Sequence, residues 1–202
     1  MQFAQLGRWV ALGLAVLLGG SLMVGKYMPS QVEISRSALI AAPPGTIYPL
    51  IADFRAGWTR WSTFADEDPG ITYTYAGPSL GLGAVQDWKS KKMGDGHMTI
   101  IKADSLAGIG FEILIGEAKE QLKLEGVLAM APEAGGTRLT WTDRGDLGAN
   151  PGRRLLAPLM VKMMGHSFEK SLAAIKRIAE TAPAPSPNAA DTAGTPTAAQ
   201  HP

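Results

Sequence analysis

Cysteine is absent from the 202-residue chain. That excludes disulfide staples, thiol catalysis, iron–sulfur clusters and Cys-bound zinc. Histidine is scarce as well: His97, His166 and His201 leave little for a histidine metal site, and no metal is expected. Charge of one sign is also missing. Nineteen Lys and Arg stand against eighteen Asp and Glu, a formal net charge of +1, so there is no global basic field and no nucleic-acid partner is expected. Motifs for covalent or cofactor chemistry are lacking too. There is no Ser-x-x-Lys and no Gly-x-Ser-x-Gly. The glycine-rich stretch GPSLGLG (77–83) does not lead into a helix, as a phosphate cradle would. Asp66-Glu67-Asp68 lacks the alternate spacing and distal Glu of a calcium loop. No cofactor is expected.

What is present falls into three zones: 1–29, 30–182 and 183–202. Trp9 to Gly25 is uncharged and apolar, bracketed by Arg8 and Lys26. At the helical rise it spans roughly 26 Å, close to the ~30 Å of a hydrocarbon core once flanking residues such as Leu6 and Tyr27 are added. The run is long for a signal peptide, GKYMPS is a poor cleavage site, and a core helix is rarely apolar all round at an extreme N-terminus. The expectation is an uncleaved transmembrane helix over 9–25. Arg8 and the free amine favour an inside N-terminus, with Lys26 and Arg36 voting the other way. This places the chain in a bacterial inner membrane, single-pass, with its domain on the periplasmic side. Residues 183–202, rich in Pro and Ala with Asp191 the sole acid, have no apolar period and are expected to form a disordered tail.

The middle zone is large enough for one core and is unequal in pattern. Val32–Ala42 alternates as a strand, and Pro43-Pro44-Gly45 stops it. Thr46 is a candidate N-cap for a short helix carrying Ile47, Leu50, Ile51 and Phe54 at helical spacing. GWTRWSTFADEDPG (57–70) holds Trp58 and Trp61 three apart and ends in a turn. Strands are expected at 71–76, 83–90, 97–103, 108–115, 121–131 and 137–144, joined by short links, as in an antiparallel meander. Pro151–Ala182 is the one long helix of this zone. Its apolar stripe includes Leu155, Leu156, Leu159, Met160, Met163, Met164, Phe168, Leu172 and Ile175. Pro158 inside it predicts a kink or a fresh start, and its six Lys and Arg are read as a solvated outer face in preference to an anionic-lipid contact.

Seven segments then come in order: IAAPPGTIYPLIADF (40–54), the Trp58/Trp61 pair, the acidic 66–69 turn, GLGAVQDWKS (81–90), GDGHMTI (94–100), GGTRLTW (135–141) and SFEKSLAAIKRIAE (167–180). Together they resemble the bacterial polyketide cyclase/dehydrase-like branch of the START/Bet v 1-like (SRPBCC) superfamily, over about residues 32–180. The resemblance implies an α+β helix-grip fold, a curved antiparallel sheet around a long C-terminal helix, with a ligand cavity between them. Candidate cavity-lining residues are Trp58, Trp61, Leu156, Met160, Met163, Met164 and Phe168, each weighed against plain core packing. Trp88 and Trp141 are expected to pack sheet and helix. The expected partner is an apolar small molecule, lipid or polyketide-like. A cyclase, dehydratase or hydrolase acting in the same cavity, or a non-catalytic interaction module, remain alternatives. No catalytic residue is fixed by the pattern. Asp53, Asp87 and Asp143 would matter if buried, and His97 and His166 read as surface groups.

Overall fold

The computed structural model describes residues 2–116 and 121–182; the tail expected over 183–202 lies outside them. In chain order the elements are α1 (Gln2–Tyr27), β1 (Gln31–Ile40), α2 (Pro44–Ala52), a 3-10 turn (Trp58–Arg60) and α3 (Phe64–Glu67). There follow β2 (Thr72–Ala76), β3 (Val85–Lys89), β4 (Gly96–Asp104), β5 (Gly108–Ile115), β6 (Leu122–Glu133), β7 (Gly136–Asp146) and α4 (Pro151–Thr181).

The seven strands form one antiparallel sheet in the order β1-β7-β6-β5-β4-β3-β2. The meander from β2 to β7 follows from short connections. The step that makes it a helix-grip sheet is non-local: β1 pairs with β7 along its whole length, from Gln31 opposite Asp146 to Ile40 opposite Thr137. The link between β2 and β3 turns on Gly77, Gly81 and Gly83, all at positive φ, where a Cβ would be strained. Strand β4 changes register between Ile100 and Lys102, a bulge of the kind that bends a strand.

Alternation along the strands sends one set of side chains to the concave face. Ile40, Met98, Ile100, Phe111, Leu128, Leu139 and Trp141 are buried there against Ile47 and Ile51 of α2 and Phe168, Leu172 and Ile175 of α4. Helix α2 begins two residues before the expected cap at Thr46. Pro43 is its N-cap and Pro44 its first residue, a position where proline's fixed φ and missing N–H cost nothing. Helix α4 is capped by Asn150, whose side chain accepts from Gly152 N and Arg153 N. It runs through Pro158 as one element, so there is no fresh start there.

Helix α1 occupies the apolar run read from the sequence. Among the described residues, no helix is long and apolar enough to cross a membrane; the side chains of residues 10, 11 and 15 of that run lie outside the described ones. The end of α1 packs on the start of α4, so closely that a Cβ on Gly25 would lie 2.3 Å from the Pro151 carbonyl oxygen.

Candidate functional site

The short segment between α2 and β2 builds the site. The carbonyls at the C-terminal end of α2 have no partner within the helix, and the two indoles of the segment supply one each. Trp58 Nε1 donates to Ile51 O (2.6 Å) and Trp61 Nε1 to Leu50 O (2.8 Å). Both rings are thereby fixed over the sheet. Trp58 meets Phe54 edge-on at 5.0 Å, Phe111 at 5.7 Å and Trp141 at 5.9 Å, and Trp61 meets Trp141 at 5.7 Å. Trp141 in turn stacks on Phe168 of α4. The space between sheet and long helix, where a cavity was expected, is filled at this level by aromatic rings.

An opening remains on the other side of Trp58, toward the β2–β3 edge of the sheet. Phe54, Trp58 and Ala65 form one wall. Tyr73 and Tyr75 of β2 and Gln86 of β3 form the other, with Thr59 and Ser62 at hydroxyl positions, enclosing about 70 Å³. An apolar cavity that takes up benzene measures about 150 Å³. The pocket therefore admits the end of a ligand, and a whole ring only if the Trp58–Ala65 segment shifts. The Tyr73 phenol is pushed up to about 12, mainly by burial, and burial also raises Tyr75. Both stay neutral hydroxyls. Arg55 lies over the Tyr75 ring at 5.3 Å. Gln86 is 5% exposed and its Oε1 has no hydrogen-bond partner among the described residues. A buried acceptor without a donor carries a desolvation cost of about 1–3 kcal/mol.

The seven residues expected around a cavity separate into three groups. Trp58 lines the pocket. Trp61 and Phe168 are buried in the aromatic cluster, and Met164 packs partly buried against the core. Leu156 (55% exposed), Met160 (44%) and Met163 (63%) stand exposed on α4, away from this pocket. The division has a geometric cause. The apolar stripe of α4 is wider than one face, and in the first half of the helix Ala157 and Gly165 are buried and Val161 and Met164 partly so, while the side that carries Leu156, Met160 and Met163 is left exposed.

The acids and histidines also separate. Asp53 caps backbone groups, accepting from Arg55 N and Ala56 N at 2.8 Å. Asp143 is buried, 6% exposed, and its carboxyl is pushed up to about 7 by desolvation, opposed by the hydrogen bond from Trp141 Nε1 (2.8 Å). His166 is at the surface near Glu169. His97 does not pair with neighbouring Asp95. Its Nδ1 lies 2.6 Å from Asp87 Oδ1 across the β3–β4 ladder, and its Nε2 lies 2.9 Å from Thr99 Oγ1. The strand register Asp87–His97 makes this row, and sequence spacing of ten residues gave no sign of it. The row is half-exposed. It sits on the convex face, because Asp87 and Gln86 point to opposite sides of β3. Asp68 was read as part of a turn, but it is buried and accepts from Ser90 Oγ at 2.6 Å. Among the described residues no group of three or more His, Cys, Asp or Glu is placed to hold a metal.

Comparison with known proteins bears on this geometry. No functionally curated protein matches the chain by sequence. Solved structures share its fold at low identity. A protein from Chromobacterium violaceum is 15% identical, with 76% of this chain and 99% of that one covered and a TM-score of 0.53. Ara h 8.0201 is 13% identical, with coverages of 74% and 97% and a TM-score of 0.52. The di-domain ARO/CYC StfQ of the steffimycin biosynthetic pathway is 11% identical, with coverages of 74% and 51% and a TM-score of 0.54. The family described as polyketide cyclase/dehydrase and lipid transport matches residues 31–180. The family suggests a hydrophobic ligand-binding domain. With its seven-stranded sheet closed around a long C-terminal helix, the chain belongs to the polyketide cyclase/dehydrase and lipid transport family of the Bet v 1-like SRPBCC superfamily.

Proposed function

We propose that this protein is a membrane-tethered binding domain that holds part of an apolar small molecule, lipid or polyketide-like, in the pocket between Trp58 and the β2–β3 edge. The observation that carries the reading is the pocket's chemistry. Aromatic and aliphatic walls surround a buried amide whose oxygen lacks a donor, which is the usual make-up of a small-molecule site. The ligand's apolar end meets Phe54, Trp58 and Ala65, and a hydroxyl or N–H on it meets the polar side. The tether is α1, supported by the uncharged 9–25 run and its exposed Trp9, Leu17 and Val24. Under this reading residues 1–29 anchor the chain in a bacterial inner membrane and 30–182 form a periplasmic domain.

A catalytic reading has one observation in its favour, the Asp87–His97–Thr99 row. That row lies across the sheet from the pocket, so no reaction is assigned to it. The test is mass spectrometry of whatever co-purifies with the full-length chain in mild detergent. An apolar metabolite present in the parent and lost from a pocket-filling variant supports the binding reading, and no enriched species argues against it. For the tether, the full-length chain should stay in the pellet after a carbonate wash. Its recovery in the supernatant with an intact N-terminus would sink the anchor.

A further inference from the structure

The first half of α4 is apolar on two sides. One side meets the domain. On the other, Leu155, Leu156, Leu159, Met160 and Met163 recur at i, i+1, i+4, i+5 and i+8 and stand exposed in one stripe. A helix with apolar stripes on both sides needs two apolar partners, and an exposed patch of this kind marks an interaction surface.

Three observations say what the second partner is. The stripe begins where α1 ends: Gly25 packs on Pro151, and the Arg154 guanidinium donates to the carbonyl oxygens of Lys26 (3.1 Å) and Met28 (3.3 Å). The link is short. Only Met28, Pro29 and Ser30 separate α1 from β1, a reach of at most about 11 Å, so wherever α1 sits the start of α4 sits too. The charge is one-sided. No Asp or Glu occurs between Asp146 and Glu169, while Arg153, Arg154 and Lys162 do. Large apolar side chains flanked by cations, on a stretch of helix that carries no acid of its own, match the acyl–headgroup boundary of an anionic bilayer.

We propose that the outer side of the first half of α4 is a membrane-docking surface, with Leu156, Met160 and Met163 entering an anionic bilayer and Lys162 among its headgroups. The inference rests on the tethered reading, because α1 brings this end of α4 to the lipid.

The absence of cysteine makes the test direct. Single variants Met160→Cys and Met163→Cys on α4, Arg177→Cys near its far end and Val16→Cys in α1 are labelled with a polarity-sensitive fluorophore. The full-length chain is placed in phosphatidylcholine vesicles with and without phosphatidylglycerol, some carrying nitroxide-labelled acyl chains. Emission at 160 and 163 should shift to the blue and lose intensity to the nitroxide, more so with phosphatidylglycerol. The label at 177 should do neither, and Lys162→Glu should weaken the loss at 160. If 16 is quenched while 160 and 163 behave like 177, the tether stands and the docking surface is overturned. Quenching at 160 and 163 but not at 16 supports the surface and overturns the tether. A blue shift at 160 and 163 without nitroxide quenching points to a protein partner or a second copy and overturns the proposal. So does the absence of any change at both positions.

Discussion

Trp141 of β7 and Phe168 of α4 lie face to face, ring centroids 4.0 Å apart and planes 11° from parallel. This stack joins the long helix to the sheet, and Trp58 and Trp61 close around it from the short segment after α2. Phe168→Ala should cost about 3–5 kcal/mol, the range for removing a buried aromatic side chain. Chemical denaturation of the full-length protein in detergent measures it. A loss below about 1 kcal/mol would mean that the surrounding indoles collapse into the gap.

Asp143 makes stability depend on pH in an unusual direction for a carboxylate. Its ordinary value is 3.8 and burial raises it to about 7 in the folded protein. Between those values the folded state binds the proton more tightly than the unfolded chain does. Stability should therefore fall as pH rises through that window and stay lower above it. At about 1.4 kcal/mol per unit the upper bound is roughly 4 kcal/mol. Asp143→Asn keeps an oxygen for Trp141 Nε1 and removes the titration. It should raise the melting temperature above the window, change little below it and flatten the profile between. Equal melting temperatures for parent and variant above the window would show that the carboxyl is solvated.

Filling the pocket should separate binding from stability. Ala65 is exposed at its rim, so Ala65→Phe can project over the opening without forcing the core. Binding of an environment-sensitive apolar dye should drop while the melting temperature stays close to the parent's. A variant that melts several degrees lower yet binds as before would place the dye elsewhere.

Gln86→Leu tests the orphaned amide. Removing a buried acceptor that has no partner relieves its desolvation, so the variant should be as stable as the parent or more stable by about 1 kcal/mol. A loss of more than that would show that the amide is satisfied in solution, for instance by a water in the pocket.

Gly126 is needed for a close approach. A Cβ there would lie 2.0 Å from Phe111 Cε2 and 2.7 Å from Asp143 Oδ1. Gly126→Ala should destabilise by about 1–3 kcal/mol. In a double-mutant cycle with Phe111→Ala the two losses should be less than additive, and additive losses would argue against the contact.

The strands of the meander, the single long helix of the domain and the helical run at the N-terminus follow from local pattern: alternation, turn residues and apolar spacing act within a few residues and need no partner. The family resemblance was legible for the same reason, since its segments are themselves local. What the sequence could not decide was which of two apolar sides of α4 meets the sheet. Phe168 and Met160 have equal claims by spacing, yet Phe168 lies under Trp141 and Met160 faces out. That choice is made by Gly165 approaching Arg36 and by the pairing of β1 with β7, contacts between residues roughly a hundred or more positions apart. The pocket is likewise tertiary, because Trp58 and Gln86 meet only after the indole is pinned to Ile51 and β3 takes its place in the sheet. Sequence determines the elements through short-range sterics and burial of apolar side chains. Long-range packing alone decides what those elements enclose and what they leave exposed.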